Sequence, residues 1–225
     1  NKHLATTSFW NNLPLPFWTG SEYSDIDYAD VHQYMTQGQS ANVRTDKTFL
    51  GEGINVFQPT DWFDTTLATD RISQALGANK PQGPLKPIMR GETGFVTTDT
   101  DGWTHGALNP DINGIWLQKF VWAGINSGGL IESYWYTMQH IYPGGRDLRP
   151  IFGRYYNFIK SIPLSNGNYQ EASATSSNAN LRIFGQKDLV NKRGHLWIDN
   201  KTHTWKNVVD GISPTAVMSA TITVP

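Results

Sequence analysis

The sequence predicts an α/β protein with a parallel sheet, followed by a smaller antiparallel β-region. Over residues 1–163, short apolar stretches alternate with segments of helical period, and that order is typical of βα units around a parallel sheet. Beyond Pro163 the chain becomes rich in Ser, Asn, Gly and Ala, and alternating apolar segments follow. We therefore expect a domain at 1–163, a linker at 164–180 and part of a β-domain at 181–225.

Four apolar stretches are predicted to form the strands of the parallel sheet. They lie at residues 4–9, 26–34, 87–92 and 129–136. With the helices described next, the order is strand, strand, helix, strand, helix, strand, helix. Parallel strands require such crossover connections, so the order supports one parallel sheet.

Three segments have apolar residues at intervals of three and four, which predicts amphipathic helices. The first runs from 61 to about 76 and ends at Gly77. The second runs from 109 to about 123, with Asn109 as cap and Pro110 in the first position. The third covers 148–162, with Pro150 in its first turn. Four strands and three helices amount to about half of an eight-stranded (β/α)₈ TIM barrel.

The C-terminal region is predicted to be part of an antiparallel β-sandwich. Candidate strands lie at 181–184, 195–199, 205–209 and 216–224. In the last of these, apolar residues at 218, 220, 222 and 224 alternate with Ser and Thr, the pattern of a half-buried strand. Because the chain ends on this strand, we expect it to be truncated at its C-terminus.

Composition excludes several classes of protein. The 225 residues carry a formal net charge of −1 and 16% charged residues, so there is no electrostatic footprint for nucleic acid or acidic membranes. No apolar run reaches the roughly 18 residues of a membrane span. The absence of Cys excludes disulfides and thiolate metal sites. The 12% of aromatic residues fits a large aromatic core or stacking platforms for sugar rings.

The start of the chain does not resemble a signal peptide, because no basic segment precedes a continuous apolar stretch. We expect the interior of a longer chain. A location outside the cytoplasm, secreted or periplasmic, is our expectation, with a cytoplasmic location as the alternative.

Glu92 is the main candidate for a catalytic residue. It lies in Lys86-Pro-Ile-Met-Arg-Gly-Glu-Thr-Gly94, where a short apolar strand precedes a carboxylate between two Gly residues. Catalytic groups of a parallel barrel lie where strands end. By the period of two, Arg90 shares the face of Glu92 and would lower its pKa, as a carboxylate nucleophile requires. The alternative is a surface Glu at the start of a loop.

Three further residues complete the predicted site. In Val31-His-Gln-Tyr34, His32 and Tyr34 share a face, where the Tyr hydroxyl would hold a carboxylate and the His would bind a sugar hydroxyl. Trp135, at the end of the last predicted strand, would form the floor beneath the sugar ring. The alternative for all three is core packing. Glu132 is expected on the opposite face, in a salt bridge or hydrogen bond.

The order of these motifs resembles a known family. His-x-Tyr, then Pro-x-x-x-Gly-Glu-x-Gly, then a Trp-bearing strand is similar to the sixth, seventh and eighth strands of glycoside hydrolase clan A, and to its family 5 cellulase and mannanase-like enzymes in particular. The likeness covers about residues 1–163, and the tail resembles the β-sandwich that follows many such barrels. Arg90 stands where the family commonly has an apolar residue, and the interval between His32 and Glu92 is long.

The resemblance implies a retaining hydrolase of β-linked glycans that uses no metal or other cofactor. Glu92 would be the nucleophile, Tyr34 its hydrogen-bond partner, His32 a substrate contact and Trp135 the stacking platform. The expected partner is a carbohydrate substrate, with neither nucleic acid nor membrane. The N-terminal half of the barrel would be supplied by a separate chain or segment.

The general acid/base is missing from this pattern. In the clan it is the Glu of an Asn-Glu pair at the end of the fourth strand, and no Asn-Glu dipeptide occurs in these residues. Glu22, Glu52 and Asp101 are substitutes by residue type only, and we expect none of them to fill the role. If these residues were the whole molecule, we would expect no hydrolysis, because a nucleophile without this acid leaves a poor leaving group unprotonated.

Other chemistries have little support in the sequence. There is no His-Glu-x-x-His pattern, nucleophile elbow, phosphate loop or dinucleotide fingerprint. Two rivals to the hydrolase stay open. One is a non-catalytic carbohydrate-binding or scaffolding protein with a barrel-derived fold, and the other is a self-contained small α/β domain in which Glu92 is a loop residue.

Overall fold

The computed structural model of the chain describes residues 3–6, 8–10, 24–36, 64–66, 88–96, 108–125, 130–132, 141–142 and 145–225. These residues belong to two compact units. The first contains the strands of the N-terminal part. The second contains 63–66, 106–127 and 141–225.

The first unit holds a four-stranded parallel sheet, as predicted. Its strands are β1 (Ser8–Trp10), β2 (Ala29–Thr36), β3 (Ile88–Val96) and β4 (Leu130–Glu132), and they pair in that order. Just before β1 and β2 the two segments are joined by hydrogen bonds, one of them from the amide of Asp27 to the carbonyl of Ala5 at 2.8 Å. The amide of Ala5 donates to the Asp27 carboxylate at 2.7 Å, and the Thr6 hydroxyl donates to the carbonyl of Tyr28.

The second unit combines helices with antiparallel sheets. Its helices are α1 (Ile115–Trp122), followed by the 3₁₀ turn Ala123–Ile125, α2 (Pro150–Ile159) and α3 (Trp205–Val209). Its strands are β5 (Tyr169–Glu171), β6 (Thr175–Ser176), β7 (Leu181–Asp188), β8 (Arg193–Asn200) and β9 (Ile222–Thr223). One sheet has the order β5-β7-β8 and the other pairs β6 with β9, all antiparallel.

One predicted helix is described only in part, and another begins at a later residue than predicted. Of the segment 61–76 the structure describes 64–66, where 65–66 are helical. The second helix begins at Ile115 rather than at Asn109. Turns fill the intervening residues, and Gly114 adopts a left-handed conformation with φ 66°, which a residue without Cβ does at little cost. The side chain of Asp111 then accepts a hydrogen bond from the amide of Trp116 at 3.0 Å.

The third predicted helix is confirmed as α2, with Pro150 in its first turn. Proline is tolerated there because its missing N–H would have no partner in the helix. Ile151 from this helix is fully buried, as are Leu117 and Phe120 from α1. The methyl groups of Leu148 lie so close to Gly114 that an added Cβ would meet them at 2.8 Å. A small residue is therefore required where these segments meet.

The C-terminal predictions were partly wrong. The segments predicted at 181–184 and 195–199 are strands, β7 and β8, and both are longer than predicted. Residues 205–209 form α3 instead of a strand, because the Thr204 hydroxyl caps the helix by accepting a hydrogen bond from the amide of Asn207 at 3.1 Å. Within 216–224 only Ile222–Thr223 is a strand, and Met218 is 93% exposed.

One face of the β7–β8 pair is turned toward the helices. Alternate residues of a strand share a face, and the cross-strand register joins Arg182 to Asp199, Phe184 to Trp197, Gln186 to His195 and Asp188 to Arg193. Trp197 lies 6.4 Å from the ring of Trp122 on α1. Helices before the predicted linker thus contact strands after it. The separate β-domain at 181–225 stays a prediction.

No helix in the described part of the chain is both long enough and apolar enough to cross a membrane.

Candidate functional site

The parallel sheet brings two of the predicted site residues to neighbouring positions. His32 of β2 is paired with Glu92 of β3, and Trp10 of β1 is paired with His32. Adjacent strands lie about 4.8 Å apart, so Trp10, His32 and Glu92 form one row across three strands. Tyr34 is paired with Gly94, two positions further along the same two strands.

The position of Glu92 within its strand differs from the prediction. The strand was expected to end at residue 92, but β3 continues to Val96. Thr93, Phe95 and Val96 are residue types that favour extended structure, and they extend the pairing with β2 to Thr36. Glu92 therefore lies in the middle of β3.

A bulge at Gly91 changes how Arg90 and Glu92 are placed relative to each other in β3. Val31 is paired with Arg90 and the next residue, His32, with Glu92, so Gly91 is an extra residue in β3. Such a bulge interrupts regular alternation. The predicted sharing of a face by Arg90 and Glu92 assumed an uninterrupted strand, and it does not follow from this backbone. Bulges are common beside active sites, where they redirect a side chain.

The remaining predicted residues are less informative. Trp135 lies outside the described residues, as do Glu22, Glu52 and Asp101. Glu132 is at the end of β4, where its partner across the strands is Arg90. The roles predicted for Glu92, His32, Tyr34 and Trp135 stay predictions.

A second cluster of ionisable residues lies in the second unit and was not predicted. Lys119 of α1 donates to Asp199 of β8, with Nζ and Oδ1 2.6 Å apart. Arg182 of β7 donates from Nε to the other oxygen of Asp199 at 2.6 Å, and from Nη2 to Asp64 at 2.6 Å. None of the four side chains is more than 14% exposed. Two cations and two carboxylates therefore balance in charge within a buried network.

Lys119 and Asp199 each take part in a further hydrogen bond within this network. Besides the carboxylate, the Lys119 ammonium donates to the carbonyl of Asn200 at 2.8 Å. The Thr66 hydroxyl donates to Asp199 at 3.4 Å. Burial lowers the pKa of Lys119, and the charge of Asp199 opposes that effect. The network joins four separate segments, which indicates a structural role.

The sequence carried a signal for this network. In Ile115-Trp-Leu-Gln-Lys-Phe-Val-Trp122, Lys119 is the single charged residue in a run that is apolar apart from Gln118, and a buried charge requires a partner. What the sequence could not show was which carboxylate it meets, because Asp199 is 80 residues away along the chain.

Asp111 is a buried carboxyl group of a different kind. Burial raises its pKa, while the hydrogen bond from the amide of Trp116 acts in the opposite direction. Its Oδ1 is buried and has no hydrogen-bond partner in the part of the chain that the structure describes. Burial likewise lowers the pKa of His203, which interacts electrostatically with Asp111. Among the described residues no group of three or more His, Asp or Glu side chains is placed to hold a metal ion.

Comparison with known proteins adds no relatives. No family model matches this chain, and no curated protein or solved structure matches it.

Proposed function

We propose that this chain is part of a retaining glycoside hydrolase that acts on a β-linked polysaccharide or oligosaccharide, with Glu92 as its nucleophile. The observation that carries the proposal is the pairing of His32 with Glu92 in a parallel sheet. It makes neighbours of two residues that are 60 positions apart in the sequence and that the resemblance to clan A assigns to one site.

The strand order supports the same proposal. β1 to β4 follow one another in the sheet in the order of the chain, and all are parallel, as successive strands of a (β/α)₈ barrel are. On this proposal residues 1–163 are the C-terminal half of such a barrel, and residues 181–225 are part of a β-sandwich. The enzyme would be secreted or periplasmic, where extended glycans are met.

The proposed chemistry has two steps. The Glu92 carboxylate attacks the anomeric carbon while the glycosidic bond breaks and its electron pair leaves with the departing oxygen, which forms a glycosyl ester. Water then breaks that ester and releases the sugar with retained configuration. The residue that protonates the leaving group and later deprotonates the water is the Glu that the Asn-Glu pattern would supply.

A substrate with an activated leaving group separates the two roles. 2,4-Dinitrophenyl β-cellobioside and β-mannobioside release a phenolate that is stable without protonation, so the first step needs no general acid. We expect the chain to release dinitrophenolate, at least in a first turnover, and the Glu92→Gln variant to release none above background. Glu132→Gln, on the neighbouring strand of the same sheet, is the matched control and should behave as the wild type.

The outcome also decides between the enzyme and its rival. A chain that binds cellulose or mannan but releases no dinitrophenolate favours a non-catalytic carbohydrate-binding protein. Equal release by the wild type and Glu92→Gln would contradict the role of Glu92.

A further inference from the structure

Gln186 and His195 form a polar pair between the aromatic pair Phe184–Trp197 and the charged pair Asp188–Arg193. They are directly opposite each other on β7 and β8, so their side chains lie on the same face of the sheet. The His195 ring is 6.2 Å from Phe158 of α2 and 5.5 Å from Tyr169 of β5. His195 thus lies where α2 meets the three-stranded sheet.

Three polar side-chain atoms of this pair lack a hydrogen bond within the described residues. Both ring nitrogens of His195 and the Oε1 of Gln186 are buried, and none has a hydrogen-bond partner within the described residues. A neutral imidazole tolerates such a place better than an imidazolium, which carries a charge and two N–H donors. Protonation would place that charge against the rings of Phe158 and Tyr169 and beside a neutral amide.

The charged residues described around His195 do not stabilise its protonated form. On β7 the Asp188 carboxylate accepts hydrogen bonds from Asn166 and Asn191. On β7 and β8, Arg182 and the buried Asp199 are held in the ion-pair network with Lys119 and Asp64. The other ionisable residues of the adjoining elements are exposed or half-buried. They are Lys187 on β7, Arg193 on β8, Tyr169 and Glu171 on β5, and Arg154, Tyr155, Tyr156 and Lys160 in and after α2. Burial lowers the pKa of His195, and no charged group within the described residues opposes that shift.

We propose that His195 is a pH-sensitive switch, which holds α2 against the β5-β7-β8 sheet while it is neutral and loosens this contact when it is protonated. Because the pKa of His195 in the folded state is below its ordinary value of 6.5, the unfolded state binds the proton more tightly. The stabilisation is therefore complete above pH 6.5 and is lost as the pH falls through the pKa of the folded state. The switch is independent of the function proposed for Glu92.

Hydrogen exchange of the whole chain tests the proposal at α2. After correction for intrinsic rates, exchange of amides in residues 150–159 should be faster at pH 5.5 than at pH 7.5, by at most about tenfold for each pH unit because one proton is involved. His195→Phe keeps an aromatic ring and removes the titration, so it should show no such change. His203→Gln, at a second His whose pKa burial lowers, is the control and should keep the wild-type response.

A second variant tests the pair itself and does not depend on the behaviour of His195→Phe. Gln186→Glu places a carboxylate opposite His195, which should raise the His195 pKa above 6.5 and abolish or reverse the acid-induced loosening of α2. The pKa is read from the His195 ring protons by nuclear magnetic resonance. A wild-type His195 pKa at or above 6.5 would overturn the proposal, as would an acid response that is unchanged in His195→Phe.

Discussion

Lys119 of α1 and Asp199 of β8 form an ion pair that is almost completely removed from solvent, with side chains 5% and 4% exposed. The pair joins a helix and a strand on opposite sides of the predicted linker. Since Arg182 binds both Asp199 and Asp64, the two carboxylates together connect β7, β8, α1 and the segment at 64–66. Within the second unit, folding of the helices and of the C-terminal strands should therefore be coupled.

Removal of the Lys119 charge should be costly for stability. Lys119→Met leaves a buried carboxylate with one of its cations missing, and breaking a buried pair in this way typically costs about 3–5 kcal/mol. We expect the lower end of that range, because Arg182 remains bound to Asp199. Urea denaturation followed by tryptophan fluorescence measures the loss.

The control for this change is Lys206→Met. Lys206 forms an ion pair with Asp210 one helical turn away, and both side chains are more than a third exposed. Exposed pairs at this spacing contribute about 0.3–0.5 kcal/mol. Similar losses in the two variants would show that the buried network does not stabilise the fold.

Asp111 should give a pH dependence of a defined sign. Burial raises its pKa above the ordinary value of 3.8, so the folded state holds the proton more tightly than the unfolded state does. Its contribution to stability is complete below pH 3.8 and is lost as the pH rises through the pKa of the folded state. Asp111→Asn keeps an oxygen for the amide of Trp116, and it should be more stable than the wild type at pH 7 but not below pH 3.8.

Asp147→Asn should show the opposite sign. The Arg149 side chain donates hydrogen bonds to the exposed Asp147 and lowers its pKa. That contribution is present above pH 3.8 and is lost as the pH falls through the pKa of the folded state. The free energy of unfolding of the wild type and of both variants, measured at pH 3.5 and at pH 7, provides the comparison. An Asp111→Asn variant that is less stable than the wild type at pH 7 would contradict the role of burial.

Two glycines should respond to alanine in opposite directions. Gly185 of β7 has φ 154°, and an added Cβ would meet the backbone oxygen of His195 at 2.1 Å. Gly185→Ala must therefore displace β8 and should lower the melting temperature. Gly153 lies in α2, where nothing is within 4 Å of an added Cβ, so Gly153→Ala should stabilise the chain by about 0.5–1 kcal/mol. Destabilisation by Gly153→Ala would mean that α2 is not helical at this position.

Local patterns in the sequence predicted much of the fold. The apolar stretches located all four strands of the parallel sheet, and Pro150 together with the apolar period located α2. One failure lies where a single capping interaction outweighs propensity. Val208 and Val209 favour strands, yet the Thr204 cap makes their segment a helix.

The parts that sequence reasoning missed depend on contacts between distant segments. The Asp64–Arg182 contact spans 118 residues, and nothing local distinguishes either residue from a solvated charge. The alternation of apolar and polar residues around Met218 predicted a half-buried strand. That prediction was wrong, because Met218 is almost fully exposed. The extra residue Gly91 in β3 was likewise invisible, because a bulge is defined by the partner strand.

Covalent trapping of the glycosyl ester shows whether Glu92 is the nucleophile. 2,4-Dinitrophenyl 2-deoxy-2-fluoro-β-cellobioside and its mannobioside counterpart have an activated leaving group, while the fluorine slows breakdown of the glycosyl ester. Mass spectrometry of the peptide that contains Glu92 should show the mass of one fluorodisaccharide on that residue in the wild type and in Glu132→Gln. A label on another carboxylate, or an unlabelled wild type that nevertheless releases dinitrophenolate, would contradict the account.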